Sequence, residues 1–196
     1  MTLTPATFDI AKPARFTRPN VFIRIIGAFI FGIVNWLVLV LLPIYAAIQI
    51  SSQKDKYLEN ETVKGWLRSY IGLCAYVYLL TDEFDGSKDP SFRFDVTPAG
   101  TPTLGGALLR YIMGIPHLLI IGALGSVASI IWIIGSVMIL ISEDYAAGLF
   151  DINRGVVRWI ARYAPYHASL VQEYPPFAFD TGAEGASPAT PSPPPA

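Results

Sequence analysis

The segment that most constrains the fold runs from Tyr111 to Ser142 and contains no Asp, Glu, Lys or Arg. As a continuous helix rising ~1.5 Å per residue it would be roughly 48 Å long, which exceeds the ~30 Å hydrocarbon layer of a bilayer. A second segment of the same kind extends from Ile25 to Ile50. In a chain with 53% apolar and only 15% charged residues, these two segments predict an integral membrane protein.

Composition and charge exclude several classes of function. The chain carries 14 Lys and Arg against 15 Asp and Glu, so no basic surplus indicates a nucleic-acid partner. The single cysteine, Cys74, excludes an intramolecular disulfide and is predicted to be a small packed side chain. The sequence contains no readable phosphate-binding glycine loop, nucleophile elbow or metal-binding His/Cys cluster. We therefore expect no enzyme activity and predict no catalytic, cofactor-binding or metal-binding residue.

An amphipathic helix is predicted after each apolar segment. The first covers residues 62–80 and the second covers residues 149–168, where Pro165 is expected to kink the helix or end it early. On the second helix an arginine recurs at every fourth position, which gives a stripe of Arg154, Arg158 and Arg162. We expect this stripe to bind anionic lipid headgroups, with a partner protein as the alternative ligand.

The two halves of the sequence match in order, which indicates an internal duplication. Arg24 and Arg110 each introduce an apolar segment and are separated by the same interval as Phe8 and Phe94. The other matched pairs are Asn35 with His117, Trp66 with Trp159, Glu83-Phe84 with Glu173-Tyr174, and Phe94-Asp95 with Phe179-Asp180. Trp66 and Trp159 should therefore occupy equivalent environments.

These patterns predict a mainly α membrane protein of two tandem units, each with a long membrane-embedded helix, an interfacial amphipathic helix and short Phe-Asp β-strand pieces. The first unit covers residues 1–90, with its membrane segment at 25–50 and its amphipathic helix at 62–80. The second covers residues 91–181, with its membrane segment at 111–142 and its amphipathic helix at 149–168. The Pro-rich tail, residues 182–196, is predicted to be disordered.

Residue alternation predicts how the Phe-Asp strands face. Phe92 and Phe94 should be buried on one face of their strand while Arg93 points to solvent. Phe177 and Phe179 should likewise share a buried face in the last strand.

The second half also resembles a known family. The sequence GLFD at residues 148–151, GVVRW at 155–159 and EYPPF at 173–177 is similar to a bacterial integral membrane family that carries a domain of unknown function in single or tandem copies. The first half has YLEN at residues 57–60 where the second has its GLFD, so the resemblance implies a divergent first copy. It implies localisation and architecture, and no catalytic residues.

Polar and small residues inside the apolar segments are candidate functional positions. His117 and Asn35 lie at membrane depth, where an ionisable or polar side chain is a candidate functional group, although the simpler interpretation is a neutral hydrogen-bonding side chain. Small residues suited to close helix packing follow at Gly122, Gly125, Ser126 and Ser129. They could serve packing within the chain or association into a homo-oligomer.

The favoured function is a non-catalytic accessory or scaffold protein of the bacterial inner or plasma membrane, with the lipid bilayer and a larger membrane complex as its candidate partners. The alternatives are a membrane-shaping protein, whose apolar segments would be wedge-like hairpins, and a small oligomeric transporter. If each apolar segment crosses once, seven basic residues fall on either side, so the positive-inside rule leaves the orientation undecided. Two crossings are favoured over hairpins because a straight helix buries no turn.

Overall fold

The computed structural model describes residues 5–181, apart from the side chains of residues 53–55. Its elements in chain order are β1 (Ala6–Asp9), α1 (Arg18–Gln53), a 3-10 turn (Lys54–Glu59), α2 (Glu61–Val77), a second 3-10 turn (Gly86–Lys88), β2 (Arg93–Val96), α3 (Leu104–Met113), α4 (Ile115–Ser142) and α5 (Ala147–His167). The described chain is thus mainly helical, as predicted, and two of the predicted Phe-Asp pieces form one small sheet of two strands. The tail predicted to be disordered, 182–196, lies outside the described residues.

The two apolar segments form the longest helices. Two helical stretches, Arg18–Ser52 and Ile115–Ser142, are long and apolar enough to cross a membrane. The second apolar helix was predicted to be continuous from Tyr111, whereas the structure begins it at Leu104 and divides it at Gly114. The division arises because Pro116 has no N–H to donate to the preceding turn.

The four long elements run side by side in alternating directions. The start of α1 meets the end of α4, where the Phe16 amide donates to the Glu143 carbonyl at 2.7 Å. The end of α1 meets α3, where the Tyr111 hydroxyl donates to the Val40 carbonyl. Helix α2 returns along α1, and α5 returns along α4, so α2 and α5 form a second layer behind α1, α3 and α4.

The two amphipathic helices differ in their local signals, because α2 has a side-chain cap at its start and α5 has none. The side chain of Asn60 accepts from the Val63 amide and caps the start of α2. Helix α5 continues through Pro165 to His167, so the expected early end does not occur. After α2 and after α5 the chain turns through a residue with positive φ, Leu79 at 63° and Ser169 at 61°.

A third layer covers the outer side of α2 and α5. We call it the polar cover; it consists of β1, β2, residues 81–92 and residues 172–181. β1 and β2 pair antiparallel, with Phe8 opposite Phe94. Phe92 is buried and Arg93 is exposed, as the alternation predicted, whereas Phe94, which was also expected to be buried, is only half-buried.

The last Phe-Asp piece differs from its prediction. Residues 172–181 lie extended along α5, but they form no strand. Phe177 and Phe179 are 55% and 43% exposed rather than buried, because this piece is held through its backbone by arginines and has no neighbouring strand to bury its rings.

Candidate functional site

One side of the molecule is a continuous apolar surface, which we call the apolar face. Its large exposed side chains on α1 include Phe22, Ile26, Phe29, Ile33, Trp36, Leu41, Ile44 and Ile48. On α3 and α4 they include Leu108, Ile112, Leu119, Val127, Ile130, Ile134, Val137 and Ile141. Each set recurs with the helical period, so the apolar face lies opposite the second layer. A monomeric soluble protein rarely exposes an apolar patch of this length, which marks the face as a candidate contact surface.

Two arginines interrupt the apolar sequence of these helices, Arg24 between positions 19 and 52 and Arg110 between positions 104 and 142. Both turn away from the apolar face and are buried. Arg24 lies against the ring of Tyr76 at 4.9 Å, and its Nη2 donates to the Thr81 carbonyl and, at 2.7 Å, to Asp82 Oδ1. These interactions tie the start of α1 to the turn that follows α2.

Arg110 makes the same set of contacts at the other end. Its guanidinium lies 4.7 Å from the ring of Tyr166, and its Nη2 donates to the Val171 carbonyl at 3.1 Å and to Gln172 Oε1 at 2.7 Å. Burial lowers the pKa of Arg110, although the group stays cationic because the ordinary pKa of an arginine lies far above neutrality. The end of α3 is thereby tied to the turn that follows α5.

The three stripe arginines hold the C-terminal part of the polar cover. Arg162 Nη2 donates to the Ala178 carbonyl, Arg158 Nη1 to Asp180 O at 3.4 Å, and Arg154 Nη2 to Thr181 O at 2.8 Å. Each turn of α5 thus presents one arginine, bonded to the carbonyl that lies opposite. The stripe therefore faces the protein's own backbone, and not outward toward lipid headgroups as the sequence suggested.

Arg158 is the centre of this arrangement. Its side chain is fully buried, and it also donates to the Phe8 carbonyl at 3.1 Å and to Asp9 Oδ1 at 2.7 Å. It therefore joins β1 to residues 172–181 of the polar cover, at Asp180, through a single guanidinium. A headgroup phosphate has no access to a side chain at this position.

His117 is buried in a cluster of aromatic rings. The indole of Trp159 donates to its Nδ1 at 3.1 Å, so Nε2 carries the proton and donates to the Pro175 carbonyl at 3.2 Å. Phe177 stacks on the imidazole with ring centroids 4.4 Å apart. Both ring nitrogens are thus satisfied in a neutral imidazole. These contacts hold Pro175 and Phe177 of the polar cover against α4.

Trp159 and Trp66 lie in different environments, so their predicted equivalence is wrong. Trp159 is 5% exposed and bonded to His117, whereas Trp66 is 51% exposed and packs against Tyr45. The two helices match instead from their C-terminal ends, where Leu79 and Ser169 both have positive φ.

His167 was not singled out from the sequence, yet it closes a gap in α1. Pro43 has no amide N–H, so the carbonyl of Leu39 lacks its helical donor. His167 Nε2 donates to that carbonyl at 3.0 Å, while the Tyr163 hydroxyl donates to its Nδ1 at 3.0 Å. Burial lowers the pKa of His167, with nearby Arg110 acting in the same direction, so the neutral form is favoured. Pro43 was the available signal in the sequence, because a proline frees a helix carbonyl. The residue that bonds this carbonyl, His167, lies 124 residues after the proline.

Asn35 and Gly122 line one cavity between the long helices, and Gly125 and Ser129 line another. The Tyr70 hydroxyl donates to Asn35 Oδ1 at 2.7 Å. The hydroxyls of Ser126 and Ser129 bond to carbonyls of their own helix, those of Gly122 and Gly125. No atom lies within 4 Å of a Cβ placed on Gly122, so no helix of the described chain packs against it. A role for Gly122 in packing between copies stays a prediction.

Two further tyrosines link the two halves. The Tyr145 hydroxyl donates to the Leu79 carbonyl at 2.8 Å, and the Tyr57 hydroxyl donates to the Ala168 carbonyl. Burial raises the pKa of both phenols, which keeps them protonated donors. Each tyrosine follows one long helix and bonds the end of the amphipathic helix in the other half. Cys74 is buried, as its prediction required.

The comparisons with known proteins match part of this architecture. Residues 105–178 match the model of DUF4389, a domain of unknown function, so the chain contains this domain. The match begins in α3, covers α4 and α5, and ends at Ala178 in the polar cover, whose carbonyl Arg162 binds. No curated protein and no solved structure matches the chain. The match bears out a domain of unknown function in the second half; it does not extend to the first half, so the second tandem copy stays a prediction.

Proposed function

We propose that the protein is a non-catalytic accessory or scaffold protein of a bacterial membrane that lies along one leaflet, with the apolar face in the hydrocarbon and the polar cover in water. The observation that carries this proposal is the placement of the two surfaces. The apolar face follows α1, α3 and α4, and the polar cover lies on the opposite side of the molecule, on the outer side of α2 and α5.

The length of the second layer argues against simple crossings. Helix α2 contacts α1 from Tyr45, which packs on Trp66 at 5.1 Å, back to Arg24, which lies on Tyr76 at 4.9 Å. The interval from residue 24 to residue 45 corresponds to ~32 Å of helix, about the thickness of the hydrocarbon layer. If α1 stood across the membrane, α2 would occupy the same depth.

The charges attached to α2 make that placement costly. Arg68 is exposed and donates to the carbonyls of Ser87 and Phe94, both at 3.4 Å, which places the loop carrying Lys88 and Arg93 beside α2. An arginine or lysine at the centre of a bilayer costs about 2.5–3.5 kcal/mol on insertion scales. With the helices parallel to the membrane plane, these side chains remain in water. That orientation also keeps both ends of each long helix on the same side of the membrane, so the undecided count of positive charges presents no conflict.

We further propose that the two halves are divergent copies of one unit, as the sequence suggested. The buried arginines Arg24 and Arg110 make matching contacts with a tyrosine and with the turn after the following helix. Leu79 and Ser169 adopt the same positive φ in those turns. These matches support a shared origin despite the different environments of the two tryptophans.

Cysteine mapping tests the orientation. In a Cys74→Ala background, single cysteines at Thr17 and Ser142 mark one end of the helices, and cysteines at Ser52 and Thr101 mark the other end. All four positions are exposed. We expect a membrane-impermeant maleimide to label all four from the same side of sealed vesicles.

The outcomes separate the alternatives. Labelling of the two ends from opposite sides would establish two crossings and overturn the in-plane orientation. Recovery of most of the protein in a carbonate wash would overturn the membrane assignment itself. Cysteines at Ile33 and Ile130, on the apolar face, serve as controls that should stay unlabelled in vesicles and react in denaturant.

A membrane-shaping role is the second candidate, and the one-sided apolar face favours it. A protein that inserts helices into only one leaflet expands that leaflet relative to the other. The hairpin form of this idea does not fit, because α1 is a single helix through Pro43 and α4 is unbroken from Ile115 to Ser142. We expect purified protein to tubulate vesicles at high surface density; spherical vesicles at full coverage would leave the scaffold role alone.

A further inference from the structure

A cavity of about 230 Å³ lies at the centre of the molecule, where α1 and α4 diverge. Its lining residues include Asn35, Leu39, Gly122, Ile160, Tyr163 and His167, drawn from α1, α4 and α5. The α5 side chains are buried, whereas Gly122 is exposed and Asn35 is half-buried. The mouth therefore opens between α1 and α4, onto the apolar face.

The floor of the cavity carries polar groups whose hydrogen bonds leave both a donor and acceptors available. The Tyr70 hydroxyl uses its proton on Asn35 Oδ1, and the Tyr163 hydroxyl uses its proton on His167 Nδ1. The side-chain NH₂ of Asn35 is then a donor, and the two phenol oxygens keep lone pairs that accept. Such a set suits a ligand group that both donates and accepts.

No charged residue of the described chain lines the cavity, and the remaining walls are apolar. A carboxylate or phosphate would enter without a cation to compensate its desolvation, which disfavours an anionic ligand. The volume corresponds to about seven water molecules, enough for the head of a chain molecule and its first few carbons.

A second cavity lies between the same two helices, and we call the two cavities together the crevice. The second cavity lies one to two turns away, has a volume of about 450 Å³ and is lined mostly by apolar side chains that include Ala28, Phe31, Gly125 and Trp132. The small residues of α4 keep the crevice open, since a Cβ on Gly122 would meet no atom and one on Gly125 only the Tyr78 hydroxyl at 3.8 Å.

We propose that this crevice binds a neutral single-chain lipid alcohol, with its hydroxyl between Asn35 and Tyr163 and its chain along the crevice toward Trp132. The hydroxyl accepts from the Asn35 amide and donates to a phenol oxygen. The chain stays in contact with bilayer hydrocarbon on its open side. This inference rests on the proposed function because the ligand enters from the bilayer.

The test uses a photoreactive diazirine analogue of hexadecanol with the purified full chain in detergent. We expect saturable labelling of wild-type protein on peptides from α1 and α4. Gly122→Leu fills the mouth without a clash and should lower labelling about tenfold. The matched control is Gly32→Leu, on the apolar face of α1, where a Cβ also meets no atom; its labelling should equal that of wild type.

Competition with unlabelled probes tests the polar floor without any substitution. Hexadecanol should compete about five times better than hexadecane, the factor that one net hydrogen bond supplies, and better than palmitate. Equal competition by the alkane, unchanged labelling of Gly122→Leu, or an absence of saturable labelling would each overturn the inference. Wild-type protein that floats with phosphatidylcholine vesicles but shows no saturable labelling overturns this inference alone, whereas failure to float overturns the proposed function.

Discussion

The turn after α2 and the turn after α5 hold their arginines in the same way but with different charge. Arg24 is paired with the carboxylate of Asp82 at 2.7 Å, whereas Arg110 is bonded to the neutral amide of Gln172, also at 2.7 Å. Both guanidinium groups lie on a tyrosine ring and bond a backbone carbonyl. The geometry therefore does not require an ion pair, because the ring and the carbonyl position the guanidinium in both halves.

The difference teaches where each half depends on electrostatics. Arg24 is 0% exposed, and two of its nitrogens, Nε and Nη1, have no hydrogen-bond partner among the described residues. Asp82 is thus the main compensation for a buried charge. In the other half the charge of Arg110 is balanced only by dipoles, so its removal leaves no uncompensated ion.

The largest expected effect comes from replacing each arginine by methionine, which keeps the length of the side chain. Arg24→Met should lower the free energy of unfolding by about 3–5 kcal/mol, because Asp82 is left near the protein interior without its cation. Arg110→Met should cost only about 1–3 kcal/mol, since only neutral acceptors lose a partner. Denaturant unfolding in a mild detergent measures both values.

The control for this contrast is Arg24→Met combined with Asp82→Asn. Removing the orphaned carboxylate should recover part of the stability and bring the first half close to the Arg110→Met value. Equal losses in the two single variants would mean that the carboxylate contributes nothing beyond the amide.

Glycines in α2 and α5 provide the second contrast, of intermediate size. A Cβ on Gly72 would lie 2.4 Å from the backbone nitrogen of Ser87, whereas one on Gly155 would lie 2.8 Å from the tip of the Phe179 ring. Gly72→Ala should therefore cost about 1–3 kcal/mol, because a backbone segment must shift. Gly155→Ala should cost less than that, because the exposed Phe179 side chain can swing away about χ1 and the Asp180 carbonyl oxygen, 3.1 Å from the added Cβ, needs to shift only slightly, while alanine favours the helix.

Thermal unfolding of the two alanine variants measures this difference. The same substitution at Gly65 in α2, where a Cβ meets nothing, gives the helix-propensity effect alone. If Gly155→Ala proved as costly as Gly72→Ala, the segment at Phe179 would be held as rigidly as the loop at Ser87.

The helices could be predicted from the sequence because apolar periodicity reports which residues share a face. It does not report what lies opposite that face. Arg154, Arg158 and Arg162 show the limit: a stripe at every fourth residue has the same appearance whether it meets lipid phosphates or a row of carbonyls. Only the path of residues 172–181, which is fixed by contacts between distant residues, shows that the arginines meet backbone carbonyls.

Residue matching between the halves was limited in a similar way. Trp66 and Trp159 share a residue type and a local motif. Trp66 nevertheless lies in the second turn of α2, which starts at Glu61, whereas Trp159 lies in the fourth turn of α5, which starts at Ala147. Arg24 and Arg110 make similar contacts with a tyrosine ring and a backbone carbonyl, and each lies the same number of residues after the start of its helix, α1 or α3. Contacts such as His167 with Leu39 could not be predicted, since a freed carbonyl can be satisfied by any nearby donor.

The smallest expected effect concerns His167, which has no titratable counterpart at the end of α2, where the helix finishes at Val77. Burial lowers the pKa of His167 below its ordinary value of 6.5, so the unfolded chain binds a proton more readily than the folded protein. The contribution of the neutral imidazole is therefore fully present above pH 6.5 and is lost as the pH falls below that value. Tyr163 and Arg110 face the ring, and neither changes charge in this range.

We expect the melting temperature of wild-type protein to fall more between about pH 7 and pH 5 than that of His167→Gln, whose amide can donate to the Leu39 carbonyl at any pH. Because carboxylates titrate equally in both proteins, the difference between the two slopes reports His167 alone, and parallel slopes would show that the imidazole takes up its proton without disturbing α1.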